Sequence, residues 1–358
     1  MRSKKKKIKI SEHETLSPEQ EENLRLQHQI QGLREVIREQ KSSTRYWEKE
    51  ADRIQKEFDV AMALQNHDNP IVIKPKKGKT KSETTPILVW SDWHVEETVD
   101  GATINEMNEY NLDIADERIT RLVEHSLEMI ELWRGQENTT IDRIVLALLG
   151  DFITGYIHEE LEENNSLSPT EAVLWVQKRL IASIQYLLDH GNFKEILIPC
   201  CIGNHGRTTK KPRVSSAYKN NYEWLMYHTM AQFFEMKGEK RVKFKVENSH
   251  HNYCEIFGRT VRFHHGDYFN SREGIGGISV PVNKAVLKWN KSRNAWLDVF
   301  GHWHQSLDGG SWVCNSSLIG FNPFAVKIKA AFEPPSQTII MIEKNRGKTA
   351  VLPVWVAK

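Results

Sequence analysis

Ile87-Leu88-Val89-Trp90-Ser91-Asp92-Trp93-His94 is an apolar run that stops abruptly in a polar cluster. Four consecutive apolar residues with no alternation read as a strand buried on both faces, the kind found inside a parallel sheet. The pattern recurs twice. Ile144 to Leu149 runs into Gly150-Asp151-Phe152, and Ile196 to Cys201 runs into Gly203-Asn204-His205-Gly206-Arg207. Between these runs the apolar period changes to that of a helix. Ile119, Leu122, Val123, Ser126, Ile130 and Trp133 form a stripe within 112–133, and Ser168-Pro169-Thr170-Glu171 is a capping box with proline at the first helical position. That box opens a helix to about His190, and a further helix is expected over 217–237.

After residue 240 the pattern turns to short strands, at 241–247, 252–257, 260–264, 297–300, 311–314 and 337–343, with one helix at about 280–292. A parallel β-α-β-α-β half followed by an antiparallel half predicts an α/β fold of two mixed sheets packed face to face, with helices outside. Residues 87–358 would form this body.

The region before it is different. From Ser17 to Gln65 there is one glycine, Gly32, and one proline, Pro18, and the segment reads as helix throughout. Steps of four and three from Leu26 reach Ile30, Leu33, Ile37, Gln40, Thr44, Trp47, Ala51, Ile54, Phe58 and Ala61, with only Gln40 and Thr44 polar. That is a heptad seam, so residues 17–67 are expected to form a coiled coil that makes the chain a homo-oligomer, a dimer. Residues 1–16 are expected to be a basic disordered tip. Residues 68–86, with five lysines and three prolines, are expected to be a basic linker.

Composition narrows the class. The 358 residues carry 49 Lys+Arg against 47 Asp+Glu, a net charge of +2 that names no partner by itself. The longest apolar run near the middle falls far short of the roughly 20 residues that span a bilayer. No apolar leader follows the lysines at the start, so a soluble cytoplasmic protein with no membrane partner is expected. Cys200, Cys201, Cys254 and Cys314 form no CxxC pair, which argues against structural zinc or a redox motif and suits a reducing compartment.

The polar clusters carry the chemistry. In open α/β sheets, ligands bind where loops leave the carboxyl ends of strands, so the three clusters should converge. Phe263-His264-His265-Gly266-Asp267 and Gly301-His302-Trp303-His304 follow two later strands. Carboxylate, amide and imidazole groups are ligands for Mn, Fe or Zn, and an ordered set of five such clusters points to a dinuclear metal site. In a Gly-His-x-His turn, residues i and i+2 can face the same way, so His302 and His304 can reach neighbouring ions. Asp92 and His94 can share one ion in the same manner, and Asp151 is the natural bridge. Trp93 and Trp303 should point away into the core.

The ordered set Asp92-x-His94, Gly150-Asp151, Gly203-Asn204-His205, His265-Gly266, Gly301-His302-x-His304 resembles the calcineurin-like metallophosphoesterase superfamily over roughly residues 87–315. The resemblance implies a four-layer α/β/β/α sandwich with two divalent ions between the sheets, manganese favoured and iron, zinc or magnesium possible. It implies one ion on Asp92, His94, Asp151 and His304, and the other on Asp151, Asn204, His265 and His302. Choosing His265 over His264 follows the family's His-Gly pairing. His205 would stand by the scissile phosphate as proton donor or charge stabiliser. Two departures matter. No arginine follows Gly150-Asp151 closely, which counts against a protein phosphatase. Gly206 also replaces the acidic residue that commonly orients the histidine, leaving Asp267 or another carboxylate to do so, and Arg207 to contact the phosphate.

His158, close after the bridging aspartate, is a candidate second acid. Lys210, Lys211 and Arg213 after the third cluster, and Lys284, Lys288 and Lys291 on one helical face with Trp289 nearby, are candidate contacts to a nucleic-acid backbone and its bases. Within the superfamily the motif style is similar to the DNA-repair exonuclease branch. The expectation is therefore a nuclease or phosphodiesterase acting on nucleic acid, DNA favoured, in a phage- or bacterium-like setting. The alternatives are a phosphoesterase for small substrates, or a nucleic-acid-binding scaffold without activity.

Overall fold

The computed structural model describes residues 17–65, 82–135, 139–269, 277–327 and 329–357. The expected basic tip and most of the expected linker lie outside them. The chain divides into two compact units, Met1–Lys77 and Gly78–Lys358.

The first unit contains α1 (Pro18–Gln65), 48 residues long. Ser17 and Gln20 cap its start reciprocally, Ser17 N donating to Gln20 Oε1 at 2.9 Å and Gln20 N to Ser17 Oγ at 3.3 Å. The seam residues Leu26, Ile30, Leu33, Ile37, Trp47, Ile54 and Phe58 are all exposed.

In the second unit the elements run β1 (Ser82–Trp90), α2 (Leu112–Arg134), β2 (Thr139–Thr140), β3 (Arg143–Leu148), α3 (Glu159–Asn164), α4 (Pro169–His190), β4 (Glu195–Cys200) and α5 (Tyr222–Met236). Then follow β5 (Val242–Val246), β6 (Asn252–Ile256), β7 (Arg259–Phe263), α6 (Ser279–Asn290), β8 (Leu297–Phe300), β9 (Leu307–Asp308), β10 (Trp312–Cys314), α7 (Pro323–Lys327), β11 (Ser336–Glu343) and β12 (Gly347–Trp355). One sheet has the order β12-β11-β1-β3-β4-β5, with β2 beside β1, and the other the order β6-β7-β8-β10-β9. Strands β1, β3, β4 and β5 are parallel, while β11 and β12 add antiparallel neighbours.

Alternation along the strands builds the layers. Leu88, Trp90, Ile144, Leu146 and Leu148 face one core with residues of α2, α4 and α5, whereas Ile87, Val89, Val145, Ala147 and Leu149 face a second core with Val261, Phe263, Leu297 and Val299 of the other sheet. On the far side of that sheet, Phe300, Trp312 and Cys314 meet Val282 and Val286 of α6. Helices, sheet, sheet and helix make the expected four-layer α/β/β/α sandwich of two mixed sheets. No helix among the described residues is long and apolar enough to cross a membrane, and all four cysteines are free and buried.

Several boundaries differ from expectation. The first strand begins at Ser82, not Ile87, because Thr84 to Val89 pair continuously with β11 and bury Thr84 and Thr85. The expected linker is therefore shorter at its end. The helix expected from 217 starts at Tyr222, because Asn221 is extended and its side chain caps Glu223 N. Strand β12 was not expected. Pro353 interrupts its pattern, and the structure tolerates it because β12 is an edge strand paired only with β11.

Candidate metal centre

Register brings the five clusters together. Trp90 is opposite Leu148 and Leu148 opposite Cys200, so the three loops leave one edge of the first sheet. Phe263 is opposite Val299 in the second sheet, so its two loops leave together as well. Backbone bonds then join the loops. Asp92 N donates to Gly150 O at 3.0 Å and His94 N to Asp151 O at 3.2 Å. His302 N donates to both Asp92 carboxylate oxygens at 3.0 Å, linking the two sheets.

The glycines of the motifs are needed for close approach. A Cβ on Gly150 would lie 2.2 Å from Gly203 N, and one on Gly203 would lie 2.0 Å from Asp151 Oδ1. A Cβ on Gly301 would lie 2.3 Å from Asp92 Oδ2. Non-glycine backbone is strained at the same place: Asp92, His94, Asp151, His302 and His304 all have positive φ, between 47° and 70°.

Two groups of donors result, Asp92 with His94 and His304, and Asp151 with His265 and His302, each with ligand atoms within 4.8 Å of one another. Asn204 joins the second, its Oδ1 lying 3.1 Å from His265 Nε2. His264, the neighbour of His265, faces the other way, stacked on Phe300 with its Nε2 3.6 Å from Asp298. Trp93 is fully buried against Phe152, and Trp303 packs beside the core under α6.

The chemistry of these atoms asks for a cation. His265 Nδ1 lies 2.7 Å from the Leu149 carbonyl, which can only accept, so that nitrogen carries a proton. Its Nε2 meets Asp151 Oδ2 at 2.8 Å, Asn204 Oδ1 at 3.1 Å and His302 Nδ1 at 3.2 Å. A proton or a metal ion must therefore sit between Nε2 and the oxygens around it. Burial alone would lower the pKa of His265, yet the Asp151 charge raises it well above the usual histidine range. Asp151 is likewise held well below the carboxylate range despite burial, by His265 and then His205. His94 Nε2 is buried and has no hydrogen-bond partner among the described residues, a donor atom awaiting an acceptor or an ion. The residues fit a pair of divalent cations.

His205 lies beside these groups, its ring 4.8 Å from that of His94. Its backbone N donates to Asp151 Oδ1 at 2.8 Å, and its Nδ1 donates to Thr154 O at 2.8 Å. The orienting acceptor is therefore a backbone carbonyl. Asp267, expected to substitute, pairs instead with His250 at 3.2 Å. His158 is exposed at the start of α3, its ring 6.4 Å from that of His205. Arg207 donates to Asn204 O at 2.9 Å and Thr209 O at 3.2 Å, which fixes the loop that carries Asn204. Lys210, Lys211 and Arg213 are exposed further along this loop. Lys284 and Lys288 are exposed one turn apart on α6, and Lys291 follows its last turn.

Three supporting residues were missed from sequence. Glu223, fully buried at the start of α5, accepts from Phe152 N and Gly203 N, both at 2.7 Å, and so ties the second and third loops together. Burial, then the Asp151 charge, pushes its carboxyl up to about 8. Glu96 accepts from Thr154 N and Gly155 N at 2.8 Å, and burial raises it to about 7. Thr154 in turn contacts two imidazoles, His205 through its carbonyl and His94 through Oγ1 at 3.2 Å. The only hints in the sequence were a Glu two residues after His94 and a Glu in the first turn of a helix, neither distinguishable from surface charge.

No known protein family's sequence profile matches the chain, and comparison with curated proteins finds no match. Solved structures do overlap it. A structure described as a novel archaeal phosphodiesterase shares 10% identity, covering 75% of this chain and 99% of its own, with a TM-score of 0.32. A hypothetical protein of Pyrococcus horikoshii shares 13%, covering 76% and 89%, with a TM-score of 0.37. A Vps29 variant of Entamoeba histolytica shares 9%, covering 75% and 98%, with a TM-score of 0.28. Overlaps this loose assign no chemistry.

Proposed function

We propose that this chain is a dinuclear metal-dependent phosphoesterase of the calcineurin-like type, acting on the phosphodiester bonds of nucleic acid. The observation that carries the reading is the convergence of five sequence clusters into two donor groups, with Asp151 bound to His205 N and His265 Nε2 and Asn204 beside His265. Asp151 would be the carboxylate shared by the two cations. Asp92, His94, Asp151 and His304 would hold one ion, and Asp151, Asn204, His265 and His302 the other, with manganese favoured.

Two such ions supply Lewis-acid polarisation of a phosphoryl oxygen and a nucleophilic water near neutral pH. The residues do the rest. Thr154 O fixes the Nδ1 proton of His205, so Nε2 is the nitrogen left to meet the substrate. That nitrogen carries no proton in the neutral ring, and burial lowers the His205 pKa, so His205 would donate from it, to charge growing on the phosphoryl group or to the leaving oxygen, once the ring is protonated beside the phosphate. Glu96 and Glu223 hold the loops so that this nitrogen and the ligands keep their spacing. The nucleic-acid substrate is supported by the exposed cationic residues on α6 and after Asn204, and α1 would pair two copies through its seam.

The test is hydrolysis of labelled single- and double-stranded DNA, RNA and p-nitrophenyl phosphate with added manganese, with Asp151→Asn and His205→Ala as controls. Polymer loss that disappears in both variants establishes the nuclease. Turnover of the small ester alone shifts the assignment to a small-substrate phosphoesterase, and activity that survives Asp151→Asn refutes the dinuclear site.

A further inference from the structure

A cavity of about 450 Å³ opens between α6, residues 250–251 and residues 268–269. The rings of His250, His251, Tyr268 and Trp289 line it, and Lys284 and Lys288 stand on α6 at its edge. Three features define what it would take. First, the walls are aromatic: Trp289 and His251 meet edge to face at 4.5 Å, and Phe269, also in the lining, lies 5.4 Å from Trp289. Such rings stack on flat heterocycles irrespective of their identity. Second, both lysines are exposed and have no carboxylate partner among the described residues, so their charge is free to meet an anion. Third, the chain links the cavity to the metal centre. Tyr268 is three residues beyond His265, at most about 11 Å of chain between their backbones, and Asp267 between them binds His250, which lines the cavity.

The volume sets the last limit. It lies within the about 300–1,000 Å³ typical of small-molecule sites, enough for one nucleotide and too little for a base pair within a duplex. We propose that this cavity is a base-binding subsite: it takes the unpaired nucleobase, with its flanking phosphate, of the nucleotide whose phosphodiester lies at the metal centre. The proposal rests on the phosphoesterase reading above and adds that the substrate presents an unstacked base. Unpaired nucleotides come as free mononucleotides or as the end of a single strand, and both share this chemistry.

The test is calorimetric titration of the full chain with deoxyadenosine 5′-monophosphate, against deoxyribose 5-phosphate as the base-less control. The expected result is at least tenfold tighter binding of the nucleotide, lost in large part in Tyr268→Ala and in Lys284→Glu with Lys288→Glu. Equal affinity for the two probes, or unaltered affinity in both variants, overturns the proposal. A single-stranded hexanucleotide that binds tighter than the mononucleotide, with steeper salt dependence, identifies a strand as the source, and equal affinity identifies the free nucleotide. A duplex of the same sequence bound as tightly as the single strand overturns the unpaired base. Binding is read without turnover, so an inert chain that discriminates the probes refutes the phosphoesterase and spares the subsite. An active chain that does not discriminate refutes only the subsite.

Discussion

Gly203→Ala and Gly301→Ala separate a shared ligand from an unshared one. A Cβ at position 203 would sit 2.0 Å from Asp151 Oδ1 and 2.3 Å from Asp151 N, where ordinary contact begins at 3.4 Å. One of the colliding atoms is backbone, so the loop after β3 must retreat by about 1 Å. It cannot do so freely, because Glu223 holds Phe152 N and Gly203 N on its two oxygens. Overpacking costs about 1–3 kcal/mol, and a lost hydrogen bond to the Glu223 carboxyl about 0.5–1.5 kcal/mol more. At roughly 2–4 °C per kcal/mol for a large domain, the melting temperature should fall by about 3–18 °C. Displaced ligand geometry should cost about 10–100-fold in metal affinity. At position 301 the Cβ would meet Asp92 Oδ2 at 2.3 Å and Ser91 Oγ at 2.4 Å, disturbing a carboxylate proposed to serve one cation only. Manganese titration calorimetry on the full chain should therefore show both sites weakened in Gly203→Ala, and in Gly301→Ala the site of Asp92, struck directly by the Cβ, weakened more than the site of neighbouring His302. If Gly203→Ala weakens a single site, Asp151 is not the bridge. If it melts with the wild type, the packing argument itself is wrong.

Other outcomes follow from the same geometry. Glu223→Gln turns an NH₂ group onto one of the two backbone N–H donors, so urea denaturation should show a loss of about 2–4 kcal/mol, and an unshifted midpoint would refute its bridging role. His205→Ala should lower kcat by about 10²–10⁴-fold with manganese binding intact; a matching loss of metal would make it a ligand instead. Leu33→Glu with Ile37→Glu should reduce the mass seen by light scattering from dimer to monomer, and a mass unaffected by them would exclude pairing through the α1 seam. Arg262 and Asp298 form a fully buried pair, at 2.6 Å and 3.0 Å, so Asp298→Asn should destabilise by about 3–5 kcal/mol. Burial would raise the Asp298 pKa, but His264 and Arg262 lower it below the usual value. Its contribution is thus present above the unfolded pKa of about 3.9 and is lost as pH falls through the lower folded value. The gap between variant and wild type in acid titrations should close in that range.

What could be read from sequence was whatever repeats a local rule. Three continuous apolar runs could only be buried strands, and the capping box at Ser168 appears as written, Ser168 and Glu171 bonding reciprocally. The ligands were legible because each follows such a strand within a few residues. Their supports were not. Glu223 lies 19 residues from Asn204 in sequence and reaches the site only because α5 starts where the third loop ends. The Thr154 carbonyl that aims His205 is backbone, and backbone leaves no mark on composition. Gly206 left Asp267 or another carboxylate to orient His205, and the structure supplies the Thr154 carbonyl instead. The cavity under α6 was invisible for the same reason: His250, Tyr268 and Trp289 come from three separate segments.

Strain explains why so many supports are needed. Five candidate ligands adopt left-handed backbone, at about 1–2 kcal/mol each for residues with a side chain. A loop free to relax would abandon that conformation. Here it cannot, because Asp92 N and His94 N are bound to the second loop, His302 N to Asp92 and His205 N to Asp151. The first two bonds run from backbone to backbone and the last two from backbone to a candidate ligand's carboxylate, so the strained turns hold one another across two sheets. Residues kept in costly conformations by mutual bonds mark a site whose geometry is set before a ligand arrives. A scaffold whose only task was to hold nucleic acid would gain nothing from aiming five strained side chains at one point. The strain is concentrated where the donors converge, and that placement favours catalysis over scaffolding more strongly than the identity of any single residue does.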